Sequence, residues 1–181
     1  MKKTILSLAA LSISAVVLIN CANAQTTNSN SGIADSKSME ISFAFGEVTL
    51  INSNSENLNA INTKAVRNFG KNYKTAITEK WYQVSNGYLA RFVVNGNDNM
   101  AAYDLKGRWK FTISYYDEKK LPVEVRSAIK STYYDYSITQ VEEIHIEDKI
   151  IYFVHMQDDN TWKNVRICNG EMEVAEDFNK K

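Results

Sequence analysis

Reactive side chains are scarce in this sequence. It holds two cysteines and two histidines, and one of the cysteines, Cys21, falls in an amino-terminal stretch that reads as a leader. Without that stretch Cys168 is the one remaining thiol, which leaves no intrachain disulfide even in an oxidising compartment. A catalytic thiol needs an activating base nearby, and no spacing around Cys168 supplies one. It reads as a small residue at a strand end. His145 and His155 are too few for tight metal binding, which needs a third ligand. There is no HExxH or CxxC, and Asn95 to Asn99 is too short for a calcium loop and lacks its distal glutamate. Were His145 and His155 on paired strands, their rings could face each other, with Glu143 and Glu147 on the side of His145. The plainer reading is two unrelated histidines on a polar sheet face.

Charge of one sign is also missing. Without Lys2 and Lys3, 19 basic side chains stand against 21 acidic ones, and no basic stripe offers itself to nucleic acid. Glu142 and Glu143 are adjacent and point to opposite faces of a strand, so a glycosidase pair would need carboxylates from distant strands. Ser114 and Ser127 have no base at a telling distance. No βαβ unit is visible, which argues against a doubly wound nucleotide-binding fold. The expectation is a chain that is not an enzyme and takes no cofactor.

What is present begins with export. Lys2 and Lys3 precede an apolar run from Ile5 to Ile19 and then Ala22-Asn23-Ala24, the pattern of a secretory signal with a small-x-small cleavage site. Cleavage after Ala24 leaves 157 residues starting at Gln25. The run is too short for a membrane anchor, so the mature form has no transmembrane span. Leu18-Ile19-Asn20-Cys21 gives an alternative, a lipobox that would anchor a lipoprotein through Cys21. Asn20 fits that pattern poorly. The periplasm or the exterior is the expected location.

Residues 25–56 are rich in Thr, Asn, Ser and Gly and read as a flexible tether. Within it Met39 to Leu50 alternates Ile41, Phe43 and Phe45 on one face. That predicts a short edge strand, or a segment that stays disordered until it meets a partner.

Trp81 to Pro122 organises the rest. Thr78–Val84, Tyr88–Val94, Met100–Leu105 and Trp109–Tyr115 have strand length, and Trp109, Phe111, Ile113 and Tyr115 alternate with polar residues. Small polar turns join them. Ahead of them Leu58, Ile61, Ala65, Phe69 and Tyr73 form a helical stripe over Ser55–Tyr73. Behind them Pro122 suits the first turn of a second helix, with Val125, Ile129 and Tyr133 on one side. Four more strand segments follow, at Ile138–Ile146, Ile150–Met156, Trp162–Ile167 and Met172–Ala175.

The halves therefore share one order. Phe69, Tyr73 and Ile77 line up with Ile129, Tyr134 and Ile138, and Gly107 with Gly170. This predicts an α+β fold of tandem α-β4 units, residues 57–118 and 119–177, with a short tail at 178–181. Together they would form an antiparallel sheet of about eight strands, with two helices packed on one face. An α+β fold without repeat symmetry is the alternative.

Phe69-x-x-x-Tyr73, Trp81 with Gly87-Tyr88-x-Ala90-x-Phe92, Ala102-Tyr103-Asp104-x-x-Gly107, and Leu121-Pro122-x-x-Val125-x-x-x-Ile129 resemble the PepSY-like domains. These are also described as beta-lactamase-inhibitor-like and occur in exported proteins of Bacteroidetes-type bacteria. The resemblance covers about Asn57 to Asp177 and implies tandem α-β4 units, an envelope location and no established catalytic activity. No inhibitory residue carries over. Lys74 stands where many relatives have proline, and Trp81 has no counterpart in the second half, where Val141 or Glu142 falls near its place.

All 20 aromatic residues lie beyond the leader, more than one core face can absorb. Parity places Tyr82, Tyr103 and Tyr116 on the open sheet face, among Lys80, Arg91 and His145. Such a face suits an envelope or extracellular protein or peptide, in a binding module that is inhibitory or regulatory toward its partner. The competing expectation is that these are cross-strand pairs that merely stabilise the sheet, in an accessory domain without a specific ligand.

Overall fold

The computed structural model describes residues 16–19, 39–42 and 49–51, each as a strand, and residues 60–181 continuously. The leader cleavage site, Cys21, Leu58 and most of the 25–56 tether lie outside the described residues. The chain divides into two compact units, Met1–Gly46 and Glu47–Lys181. In the first, β1 (Val16–Ile19) pairs antiparallel with β2 (Met39–Ser42).

The second unit is built as a meander. β3 (Thr49–Ile51) is followed by α1 (Thr63–Asn72), β4 (Ile77–Val84), β5 (Gly87–Val94), β6 (Asn97–Asp104) and β7 (Trp109–Tyr116). A 3-10 turn at Glu118–Lys120 leads to α2 (Val123–Thr132), then β8 (Ser137–Ile146), β9 (Lys149–Gln157), β10 (Thr161–Cys168) and β11 (Glu171–Asn179). Nine strands form one antiparallel sheet in sequence order from β3 to β11. Eight of them belong to the two α-β4 units, and β3 is added beside β4.

Both helices lie on one side. Under α1, Ile61, Ala65 and Phe69 pack with Trp81, Tyr88, Ala90, Phe92, Ala101 and Tyr103. Under α2, Leu121 and Ile129 pack with Val141, Val154, Met156, Val165 and Ile167. Trp81 and Val141 are both fully buried, so a valine occupies in the second unit the place of the tryptophan in the first. The helices end alike. Tyr73 and Tyr133 are the C-caps, with φ/ψ of −121°/54° and −121°/57°, so Tyr73 matches Tyr133 and not Tyr134.

α1 begins later than its apolar stripe suggests, because Asn62 stops it. The Asn62 side chain accepts from the Lys64 backbone N–H at 3.0 Å and donates to the Leu105 carbonyl at 3.0 Å. One residue thus caps the helix and ties it to the β6–β7 turn. Gly107 makes that approach feasible. Its φ is +74°, and a Cβ there would lie 2.7 Å from the Asn62 Oδ1 and 2.8 Å from the Ala65 nitrogen.

The turns are tighter than the polar runs suggest. Asn95 and Gly96 both have positive φ, as do Asn169 and Gly170, the requirement of two-residue hairpin turns. Asn97, Asp98 and Asn99 therefore belong to β6.

One bulge redistributes a face. Tyr103 pairs with Trp109 while Ala102 pairs with Phe111, so Lys110 is an extra residue in β7. Trp109 packs on the α1 side, whereas Phe111, Ile113 and Tyr115 turn to the other side of the sheet. The expected single face of Trp109, Phe111, Ile113 and Tyr115 is broken at Lys110, since a bulge resets the two-residue period.

The helix-free side has its own apolar row, belonging to neither cluster under the helices: Leu89, Met100, Phe111, Ile113, Ile144 and Ile151, all at most 6% exposed. Cys168 ends this row at 4% exposure and is disulfide-bonded in the full-length chain, whereas the expectation of a lone thiol concerns the chain cleaved after Ala24. Its partner lies outside the described residues. No helix among the described residues is long and apolar enough to cross a membrane.

Candidate functional site

The six side chains that parity assigns to one open face do not share it. Register puts Lys80, Tyr82 and Arg91 on the helix-free side, with Lys80 directly opposite Arg91 and Tyr82 opposite Leu89. Tyr103, Tyr116 and His145 are on the helix side.

Tyr103 is a core residue at 2% exposure, which corrects its placement on the open face. It lies beside Trp81 with ring centroids 5.6 Å apart. Burial raises its hydroxyl pKa well above the ordinary tyrosine value, with smaller contributions from Tyr73 and Glu79.

Tyr116 and His145 meet on one carboxylate. The Tyr116 hydroxyl donates to Glu143, and the His145 Nε2 contacts the other Glu143 oxygen. Burial first, then this carboxylate, pushes the Tyr116 pKa up. They belong to a polar seam between the two helix-covered cores. In the same seam the Tyr73 and Thr112 hydroxyls are 2.5 Å apart, Trp109 Nε1 donates to Thr112 Oγ1 at 2.9 Å, and Ser114 donates to Asn99 at 2.6 Å. These bonds join β6, β7, β8 and the end of α1, so the seam has a structural use for each polar group.

The helix-free side gathers residues that parity alone does not bring together. Tyr115 stands opposite Glu142, and Glu142 opposite Phe153. Burial, reinforced by Glu142 and opposed by Arg91, pushes the Tyr115 hydroxyl up to about 12. His155 Nε2 lies 3.2 Å from Glu142 and its Nδ1 lies 2.6 Å from the Asn164 Oδ1; Asn164 in turn donates to Glu176. The hydrogen bond to Glu142 is the main reason that the His155 pKa is raised, against the opposing effect of burial. Arg166, 4% exposed, pairs with Glu173 at 2.8 Å. A polar rim of Lys80, Arg91, Tyr115, Glu142 and His155 thus runs beside the buried apolar row. The bulge at Lys110 is what turns Tyr115 to this side, opposite Glu142.

The two histidines lie on opposite sides of the sheet, so they cannot share an ion. No group of three or more His, Cys, Asp or Glu among the described residues is placed to hold a metal. An open hollow of about 490 Å³ lies beside Asp135, Gln157, Asp158 and Lys180. Asp158 there is occupied by its own turn, accepting from the Asn160 and Thr161 backbones at 2.8 and 2.6 Å. Those bonds, led by Asn160, lower its pKa to about 2.

Architecture and rim together define an α+β domain built on one meandering antiparallel sheet. No protein-family model matches the sequence, and no curated protein matches it. Solved structures do share the fold. A DUF2874 family protein from Bacteroides ovatus aligns at a TM-score of 0.55 and 20% identity, over 66% of this chain and 87% of its own. A BLIP-like protein from Bacteroides fragilis aligns at 0.55 and 18%, over 66% and 86%. A candidate periplasmic protein from Bacteroides eggerthii aligns at 0.54 and 19%, over 66% and 88%. The chain therefore has the BLIP-like fold that the sequence motifs imply.

Proposed function

We propose that this chain is an exported, non-enzymatic binding module that engages an envelope or surface protein through the helix-free side of its sheet. The rim at Lys80, Tyr82 and Arg91 makes the contact. The observation that carries this reading is the pairing of Lys80 with Arg91. Two exposed cations stand directly opposite each other on neighbouring strands, and among the described residues neither forms an ion pair. Like charges in that position weaken a sheet. An anionic patch on a partner relieves the repulsion, and Tyr82 and Tyr115 beside it supply the aromatic area that protein contacts favour.

Occupying the partner's surface gives an inhibitory or regulatory effect without any chemistry. The leader pattern ending at Ala24 supports delivery to the periplasm or beyond, with the Cys21 lipoprotein as the alternative, and the fold is shared with a candidate periplasmic protein. The repeated helix-and-four-strand order and the like caps at Tyr73 and Tyr133 support origin by internal duplication within a PepSY-like family.

The test is crosslinking in the intact cell envelope, with the purified protein used to confirm each capture. A reproducible partner that disappears with Lys80→Glu/Arg91→Glu, while the variant keeps its melting temperature, supports the reading. No partner above background, or one indifferent to that double variant, overturns it and favours an accessory domain.

A further inference from the structure

The sheet ends on a long strand that nothing described covers. β11 runs nine residues, Glu171–Asn179, and is the last strand of the sheet. Its outer backbone edge has no neighbour among the described residues. Val174 and Phe178 on it are 45% and 55% exposed, and Trp162 opposite Phe178 is 44% exposed. A free edge of this length is a template for another strand unless its side chains discourage pairing.

The side chains select a partner. β11 carries Glu171, Glu173, Glu176 and Asp177 and no cation. Alternation alone would put Glu176 on the side of Val174. A bulge intervenes, since Val174 pairs with Val165 but Glu176 pairs with Asn164, leaving Ala175 unpaired. Glu171, Glu173 and Glu176 therefore gather on the helix-free side, with Met172 and Val174 on the helix side. Arg166 and Asn164 engage the inner flank of Glu173 and Glu176, while Glu171 has no ion pair or hydrogen bond among the described residues.

From this we infer that β11 is a docking edge for an extended polypeptide segment in which basic and apolar residues alternate. Main-chain hydrogen bonds to β11 hold the segment. Its lysines or arginines lie against Glu171, Glu173 and Glu176, and its apolar side chains lie against Met172 and Val174. This is strand addition, in which the backbone supplies affinity and alternate side chains supply selectivity. A second copy of the chain is a poor occupant. Its own β11 brings four carboxylates against four, and its β3 edge, Thr49-Leu50-Ile51, brings no cation. The inference is independent of the Lys80–Arg91 rim, which lies on β4 and β5, six strands away from β11.

The experiment uses the 15N-labelled protein as the expressing cell processes it, titrated with two capped nine-residue peptides, one alternating Lys and Val and one alternating Glu and Val. The Lys–Val peptide is expected to bind, with amide shifts confined to β11 and its β10 partners, and to weaken about tenfold or more as salt screens the contact. Glu171→Lys/Glu176→Lys is expected to lose that peptide about tenfold and to gain the Glu–Val peptide, with its melting temperature checking the fold. If that variant fails to fold, Glu171→Gln, which disturbs no partner, must still weaken the Lys–Val peptide measurably. Equal binding of both peptides, shifts elsewhere on the sheet, or no shifts up to millimolar peptide each overturns the proposal. So does concentration-dependent dimerisation through β11 without peptide, which would assign the edge to a second copy.

Discussion

Tyr103 lies against Trp81 beneath α1, with ring centroids 5.6 Å apart, and its hydroxyl is buried with no hydrogen-bond partner among the described residues. A hydroxyl desolvated and left unpaired costs stability, whereas the ring itself contributes to the packing. Tyr103→Phe is therefore expected to raise unfolding free energy by about 1 kcal/mol, read from the urea midpoint at unchanged slope. A loss of stability instead would mean that an ordered water satisfies the hydroxyl.

The same residue marks where sequence reasoning stops. Element type was legible throughout, because two-residue alternation and helical spacing are strong at Tyr88–Val94, Phe69–Tyr73 and Val125–Ile129. Face assignment was not, because it accumulates parity across strands, and the bulge at Lys110 changes that parity with no signal in composition. The two-residue turn at Asn95-Gly96 pairs Tyr103 with Tyr88 and so puts it on the helix side, while the bulge at Lys110 turns Tyr116 to that side and Tyr115 away from it. β11 runs on to Asn179, past the Met172–Ala175 segment expected from sequence, because an edge strand needs no apolar alternation to continue its ladder through Glu176, Asp177 and Asn179. Lys80, Tyr82 and Arg91 do share a side, since no bulge falls between Lys80 and Val84 or between Gly87 and Arg91.

His155 gives stability a pH dependence of known sign. Its folded pKa lies above the ordinary value of 6.5, chiefly through its hydrogen bond to Glu142, with Asn164 and Glu176 also acting on it. The protonated form is thus favoured by folding. The added stability is complete below pH 6.5 and is lost as pH rises through the folded pKa. Unfolding midpoints should fall across that interval, and His155→Gln should flatten the fall. A decline equally steep in the variant would locate the titration in another group.

Cys168 tests export directly. Cleavage after Ala24 would remove Cys21, the sequence's one other cysteine, so the exported chain should hold Cys168 as a single thiol in place of the disulfide of the uncleaved chain. At 4% exposure that thiol should resist a maleimide in the folded protein and react in denaturant. The expected product is an intact mass starting at Gln25 with one reactive thiol after unfolding. A mass retaining the first 24 residues, with no thiol released, would rule out the cleavage.

Lys80→Glu separates stability from binding. Replacing one of two facing cations with a carboxylate turns a repulsive cross-strand pair into an attractive one with Arg91, a change expected to stabilise the sheet by about 0.5 kcal/mol. If Lys80 served the fold alone, the variant would be more stable and otherwise equivalent. If the rim receives an anionic partner surface, the same variant should melt higher and yet lose crosslinking at least tenfold. A partner lost from a less stable variant would not distinguish these cases, so the melting temperature and the crosslinking yield must be read together. Stability gained with binding lost is the outcome that only a binding role explains, because the facing cations then lower the stability of the free protein and help in the complex.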